Sequence, residues 1–461
     1  MALVKIGVVP IKRGGTNMES AVQQKQLFLK KLEEITPKAV ELVNMEGILE
    51  NGILWDHAQL DAAKVRLDAE KVDALFLPHC DFGCEEVVGR LGSMMGLPVL
   101  LWGNRDPLPD PGGRDRDTQC GTLASSKCLQ RYGVPFSYIV NSDVDSKTFV
   151  KGFLDFCAVA NVAKAAKRMR ILQVGSRPQP FLSVIYNEDE LLSRFGIEIT
   201  PWSSASVVRD VKKILEERAG EVEEGVKAYA AKVDLAKMPL EAQRGQQAIR
   251  LAVLDKVKAT HSDGVALECW SLLPGNLGVG GCQVIGMLSD LGIPTACETD
   301  VLGAVSAVLL QAAALGGESL FFADITVRHA QDDNTELLWH CGPFPSSLHH
   351  PKAKPWVAPG GQGNFEMKNG DVTIARFDML NGKYSLFSGE GKGVDGPAKG
   401  GTYLWLKVDN WEEWEEKIVF GPYIHHVAGA YGNYSQILSE ACKYIGGVEA
   451  DPMRPVRKLL G

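Results

Sequence analysis

ALFLPHCDFGCEEVVGRLGSMMGLPVLLW, residues 74–102, is the stretch that decides the fold. Two short apolar runs, ALFLP (74–78) and PVLLW (98–102), flank EEVVGRLGSMM (85–95), whose apolar residues recur with the helical period. Strand, helix, strand in this order is a βαβ unit, and its two strands lie parallel in one sheet. Upstream the same alternation holds: VKIGVV reads as a strand and residues 18–35 as a helix. Downstream comes GNRDPLPDPGGRDRDTQCG (103–121), rich in Gly, Pro and charge. A long polar loop at the carboxyl edge of a parallel sheet is where ligands tend to sit.

A second alternation begins at RILQVGSRPQPF (170–181) and runs through GIEIT and two charged helices, about 206–232 and 239–260. The strand DGVALECW (263–270), the helix GCQVIGMLSDLG, the strand IPTAC and a helix over 300–317 complete it. From residue 318 the texture changes. ESLFFADIT, TELLWHCG, GDVTIARFDM, GKYSLFSGEG and GTYLWLKV are short runs bounded by Gly, Asn and Asp, the pattern of an antiparallel barrel or sandwich. One helix, YSQILSEACKYIGG (434–447), follows. The expected architecture is α/β: parallel-sheet domains over 1–165 and 166–317, then a β-rich, barrel-like domain with a terminal helix over 318–461. No internal repeat or low-complexity tract interrupts it.

A chain of 461 residues exceeds what one hydrophobic core usually holds, which agrees with several domains. Its 45% apolar and 23% charged residues are ordinary for a soluble globular protein. The net charge of −8 argues against a nucleic-acid partner, whose phosphates need a basic face. The first residues lack a signal-peptide pattern, and no run approaches the ~18 apolar residues of a membrane span. The ten cysteines have no framework spacing, so reduced thiols in a cytoplasmic protein are expected, and zinc-ligand spacings are missing as well. GNLGVGGC (275–282) lacks the glycine order of a dinucleotide loop.

Three polar residues interrupt otherwise buried patterns. Glu298 stands in TACETDVLGAV between a strand and a helix, Asp324 in SLFFADITV, and His340 in TELLWHCGPFPSSL. A lone buried charge is costly, so buried carboxylates are usually paired or bound to metal. Carboxylates with imidazole suit Mn²⁺, with Mg²⁺ or Co²⁺ as substitutes. Each residue also has a structural reading: a charge on a helix dipole, a strand end, a satisfied core histidine. FGPYIHHVAGAYG (420–432) adds His425 and His426, and on an extended segment only one of two neighbours faces a given site.

The order of these segments resembles the L-fucose isomerase and L-arabinose isomerase superfamily of metal-dependent aldose–ketose isomerases. There a glutamate precedes an Ala/Leu-rich helix, as Glu298 precedes TDVLGAVSAVLLQ, and a second carboxylate follows on an apolar strand, as Asp324 does 26 positions on. LWHCGPFPSS looks like a looser form of the arabinose-branch histidine segment, and both branches carry a late His-His pair. The match covers roughly residues 263–435; upstream, only two Rossmann-like units before a β-rich domain agree.

The resemblance implies that Glu298, Asp324 and His426 are metal ligands, with His340 a fourth as in the arabinose branch and His425 turned away. It implies that Glu298 and Asp324 also relay the proton between C1 and C2 of the sugar through a cis-enediol. Trp102, Asn104, Arg105, Arg114, Arg116, Arg177, Glu268 and Trp270 are candidate substrate-binding residues, the first five on a domain that in this family helps close a neighbouring subunit's pocket. Arginines would also suit an anionic sugar. The expected function is a divalent-metal-dependent aldose–ketose isomerase of a free or anionic monosaccharide, cytoplasmic and homohexameric or trimeric, with no nucleic-acid or membrane partner. The alternatives are an isomerase of a sulfonated or otherwise acidic hexose, a non-catalytic sugar-binding or regulatory protein of the same fold, and a lyase or epimerase.

Overall fold

The computed structural model describes residues 4–107, 116–352 and 354–461. Contacts divide the chain into two compact units, residues 1–164 with 456–461, and residues 165–455.

The first unit alternates strand and helix, as its apolar periodicity dictates. Its strands are β1 (Val4–Val8), β2 (Val40–Val43), β3 (Ala74–His79), β4 (Val99–Gly103) and β5 (Phe136–Tyr138). The helices are α1 (Met18–Ile35), α2 (Leu60–Glu70), α3 (Glu85–Met95), α4 (Thr118–Arg131) and α5 (Lys147–Ala166). All strand pairs are parallel, in the order β2-β1-β3-β4-β5. The stretch 74–102 folds as read, β3–α3–β4. Helices on both faces explain why β3 and β4 are buried along their whole length.

The second unit opens with another parallel sheet, order β7-β6-β8-β9, from β6 (Arg170–Val174), β7 (Glu198–Trp202), β8 (Gly264–Leu267) and β9 (Thr295–Cys297). Its helices are α6 (Glu188–Phe195), α7 (Ser204–Glu217), α8 (Ala219–Ala230), α9 (Leu240–Thr260), α10 (Leu272–Leu277), α11 (Cys282–Asp290) and α12 (Val301–Ala313). The single helix expected over 206–232 is two, because Arg218 leaves helical geometry at φ −126°.

Then come β10 (Phe321–Arg328), β11 (Thr335–His340), β12 (Trp356–Val357), β13 (Gly363–Glu366), β14 (Gly370–Leu380), β15 (Lys383–Val394) and β16 (Thr402–Lys407). Helix α13 (Trp411–Phe420), β17 (His426–Tyr431), α14 (Ser435–Ile445) and β18 (Val448–Pro452) end the unit. Antiparallel pairs run β16-β11-β10-β17-β14-β15, and β15 pairs back to β16, so six strands close into a barrel. Closure removes the sheet edges that an open sheet of this size would expose. Sequence reading missed α13: WEEWEEKIVF buries only Trp411 and Trp414, a stripe too sparse for a periodicity count.

Helix α12 is apolar almost all round and buried almost throughout, because it packs on β8 and β9 on one side and on β14 and β17 on the other. It joins the parallel sheet to the barrel wall. Its N-terminus therefore opens where the two layers meet.

Candidate active site

Glu298 sits between β9 and α12 in a turn that an L-residue rarely adopts: Glu298 has φ 60° and Thr299 φ 57°. Such left-handed backbone costs of order 1–3 kcal/mol per residue and persists where the surroundings hold it. Here the Thr299 N–H donates to Leu267 O (3.2 Å) and the Asp300 N–H to Cys297 O (3.1 Å). Asp300 then caps α12, accepting from the Gly303 N–H at 2.9 Å. The tight turn aims the Glu298 and Asp300 side chains into the seam between sheet and barrel.

The barrel supplies the opposite wall. Antiparallel register sets Asp324 of β10 directly across from His426 of β17, so the two share a face. Their neighbours Phe321, Ala323 and Val427 belong to the barrel core, and strand alternation turns Asp324 and His426 to the other side.

The histidine is fully buried and its tautomer is fixed. His426 Nδ1 lies 2.9 Å from Asp300 Oδ2, an acceptor, so Nδ1 carries the hydrogen. The Nε2 lone pair then faces Glu298 Oε2 and Asp324 Oδ1, each at 3.4 Å. Asp300 is held in turn by Arg376, whose Nη2 donates to Asp300 Oδ1 (3.2 Å) and whose Nε donates to Asp378 Oδ2 (2.7 Å). Although burial works against its charge, Asp300 stays ionised well below the usual carboxylate range because the Arg376 guanidinium lies beside it. Burial also opposes ionisation of Glu298, and the neighbouring His426 and His340 with the Trp270 N–H outweigh it, holding the carboxyl below its ordinary value.

Three buried atoms meet here without a hydrogen-bond partner: His426 Nε2, Asp324 Oδ1 and His340 Nε2. Nine in ten buried polar groups find a partner, so orphans gathered at one point ask for a ligand. The ligand atoms of Glu298, His340 and His426 lie within 4.8 Å of one another, as do those of Asp324, His425 and His426. The two groups share His426, and each joins one carboxylate to imidazole nitrogen, a hard, borderline set suited to a divalent cation such as Mn²⁺. Asp300–His426 is the carboxylate–histidine pair that orients a metal-facing nitrogen.

His340 ends β11, with Nε2 3.8 Å from Asp324 Oδ1. Its Nδ1 accepts from the Cys341 N–H at 2.9 Å, which leaves the hydrogen of the neutral ring on Nε2. Ligation through Nε2 requires the other tautomer, with Nδ1–H donating to Cys341 Sγ, 3.2 Å away. His425 departs from the expectation that it turns away: its ring centroid lies 4.5 Å from that of His426. It precedes β17, so strand alternation does not govern it.

Several candidates turn out to serve the framework. Glu268 accepts from the backbone N–H groups of Trp270 (3.0 Å), Ser271 (2.8 Å) and Leu272 (2.5 Å), capping the start of α10. That cap sets the place of Trp270, half exposed, whose Nε1–H donates to Glu298 Oε1 at 2.8 Å. Arg177 spends its Nη1 on the carbonyls of Pro178, Gln179 and Phe181. The loop it folds sets the Phe181 ring 5.4 Å from His426 and 5.6 Å from Trp270.

In the first unit, Trp102 is fully buried, its ring 4.2 Å from Phe149, and presents no surface to a ligand. Asn104 is buried and hydrogen-bonded to Gln24 (3.1 Å) and to the Val144 N–H (3.2 Å). Arg116 donates to Arg105 O (2.7 Å) and pairs with Asp106 (3.3 Å), while the Arg105 side chain is 62% exposed. Arg114 lies outside the described residues.

Sequence reading missed Asp300, Arg376 and Phe181. Asp300 carried a signal, an acid two residues past Glu298 at a helix start, which was passed over. Arg376, in the middle of the strand VTIARFDM, carried none.

Residues 7–167 match the family described as fucose/sulfoquinovose isomerase, N-terminal domain. A sulfoquinovose isomerase of Priestia aryabhattai is 26% identical over 384 residues, 81% of this chain and 84% of the relative. One of Priestia megaterium matches to the same extent. One of Alkalicoccus urumqiensis is 25% identical over 336 residues, 71% of this chain and 74% of its own.

Proposed function

We propose that this member of the fucose isomerase-like superfamily is a divalent-metal-dependent aldose–ketose isomerase whose substrate is a sulfonated hexose. The observation that carries the reading is the convergence of orphaned His426 Nε2 and Asp324 Oδ1 beside the ionised Glu298 carboxylate. The relatives' name supplies the sulfonated sugar. Among the described residues no helix is long and apolar enough to cross a membrane; a cytoplasmic homohexamer or trimer is part of the proposal.

Glu298, Asp324 and His426 would hold the cation, Mn²⁺ first, with Mg²⁺ or Co²⁺ as substitutes and His340 as a fourth ligand in its Nδ1–H tautomer. When bound, it would draw charge from the oxygens on C1 and C2 and lower the cost of negative charge there. The chain's residues do the rest. Trp270 pins Glu298 Oε1 by its indole N–H, which holds the carboxylate in one orientation with Oε2 toward His426. Held below its ordinary value, the Glu298 carboxyl is ionised at neutral pH and ready to act as base. Asp324 stands across from it with its own unpaired oxygen. Removing a proton from C2 of the aldose gives a cis-enediol, and returning it to C1 gives the ketose. A carboxylate on each side allows both directions without turning the sugar. Phe181 and the exposed part of Trp270 offer apolar surface to the sugar ring.

Incubating metal-free protein with sulfoquinovose and a panel of neutral aldoses, with and without Mn²⁺, tests the reading. Conversion of sulfoquinovose to its 2-ketose is expected, lost with a chelator and restored by Mn²⁺. Turnover indifferent to chelator would sink the metal role, and inertness toward the whole panel would sink the enzyme. In D₂O, deuterium should enter the carbon that receives the proton; its absence would favour a hydride shift.

A further inference from the structure

A layer of thiols lies beside the candidate site, and the isomerisation makes no use of Cys269, Cys282 or Cys297. Cys269 follows β8, Cys282 opens α11, Cys297 ends β9 and Cys341 follows β11. Cys269 Sγ lies 2.9 Å from Cys297 Sγ, and Cys282 Sγ lies 3.2 Å from Cys341 Sγ, all four being free cysteines. Small thiols do pack as plain apolar groups. What sets this pair apart is a third atom: Cys269 Sγ, Cys297 Sγ and a carboxylate oxygen of Glu298 all lie within 4.8 Å of one another. The three residues are 5%, 0% and 7% exposed.

We propose that Cys269, Cys297 and Glu298 form a second cation site, selective for a thiophilic divalent ion of the zinc and cadmium class. Two sulfurs and one oxygen are a soft set, unlike the oxygen and nitrogen set of Glu298, Asp324 and His426, and thiolates choose Zn²⁺ over Mn²⁺. Binding forms two metal–sulfur bonds, breaks two S–H bonds and releases two protons to solvent, with no change of oxidation state. The expectation from sequence was the opposite, since 28 residues separate the two cysteines and no zinc-ligand spacing relates them. Pairing of β8 with β9 sets Leu267 opposite Cys297, and Cys269 lies two residues beyond. Adjacent strands thus accomplish what a short motif does elsewhere.

The two sites share Glu298. A thiophilic ion held by the sulfurs draws the Glu298 carboxylate away from the sugar and stops turnover. That consequence rests on the catalytic reading of Glu298; the binding itself does not.

The test uses Cd²⁺ as probe on the reduced full-length protein, without substrate. One equivalent should raise the ultraviolet thiolate-to-cadmium charge-transfer band, in Cys282→Ala as in the unaltered protein. Cys269→Ala and Cys297→Ala should lose the band and raise the Cd²⁺ inhibition constant by roughly 100-fold, while keeping Mn²⁺-dependent turnover. X-ray absorption of the unaltered Cd²⁺ complex, which needs no variant, should show two sulfur neighbours. No band in the unaltered protein, no sulfur around cadmium, or a full band in both variants would overturn the proposal. A cadmium–thiolate band in a protein that isomerises no sugar would leave this site standing and refute the isomerase reading; turnover without the band would do the reverse.

Discussion

His79 and His426 are both buried histidines beside carboxylates, and they end differently. His79, at the carboxyl end of β3, has both ring nitrogens occupied, Nε2 by Ser125 Oγ at 2.9 Å and Nδ1 by Leu77 O at 3.2 Å. Its neighbour Asp81 is spent on the Arg13 and Gly83 N–H groups, both at 2.8 Å, and on Thr16 Oγ1 at 2.5 Å. His426 has one nitrogen occupied and one aimed at two carboxylates. Polar groups that satisfy one another fix a framework; polar groups that satisfy all but one atom each, with those atoms facing inward, make a receptacle. The carboxyl edge of a parallel sheet, which favours ligands in α/β folds, holds both His79 and Glu298 and does not by itself tell the two places apart.

The largest expected effect on that contrast is from Glu298→Gln. It keeps the Trp270 hydrogen bond and removes the base, so kcat should fall roughly 10²–10⁴-fold. Full activity in steady-state turnover would remove Glu298 from the mechanism. Asp300→Asn comes next, because it removes the charge that faces Arg376 and puts an amide nitrogen, which cannot accept, where one carboxylate oxygen takes its donors. Titration calorimetry should show Mn²⁺ affinity weaker by about 10–100-fold with far-ultraviolet dichroism intact; unchanged affinity would break the link from Arg376 through Asp300 to His426.

His79→Gln should leave Mn²⁺ affinity unchanged and alter only the pH dependence of stability. Burial lowers the His79 pKa from 6.5 to about 4, so the unfolded chain takes up a proton that the folded one refuses. Stability is therefore lost as pH falls from 6.5 toward 4, and chemical denaturation should show that loss shrinking by up to ~3 kcal/mol in the variant. Glu336→Gln is a smaller test of the same rule. Glu336 is buried with Oε2 unpaired, and among the described residues it belongs to no group of potential metal ligands. Burial, then repulsion from Glu415, raises its carboxyl to about 7. The folded state thus keeps a proton that the unfolded one loses between pH 4.5 and 7, and stability declines across that window. The variant should be more stable by about 1–3 kcal/mol above pH 7 and equal near pH 4.5. A single orphan is a displaced titration; only convergent orphans make a site.

Local signals made much of the molecule legible in the chain. Both parallel sheets, and the change to antiparallel strands near 318, follow from periodicity and turn residues. Glu298, Asp324 and His340 stood out as polar residues inside apolar runs. Trp102 and Glu268 stood out too, and their environments make one a core residue and the other a helix cap. A polar or aromatic residue at a strand's end has the same local pattern in either role.

By itself, the sequence determined most of the strands and helices, that the sheets would be parallel first and antiparallel later, and that Glu298, Asp324 and His340 interrupt apolar runs. Those depend on residues close in the chain. Only the tertiary structure decided that β15 pairs with β16 to close the barrel, and that Asp300 and Arg376 hold His426 in one tautomer. It also brought Cys269 beside Cys297. Each joins groups whose separation along the chain carries no periodic signal, and burial turned their closeness into chemistry.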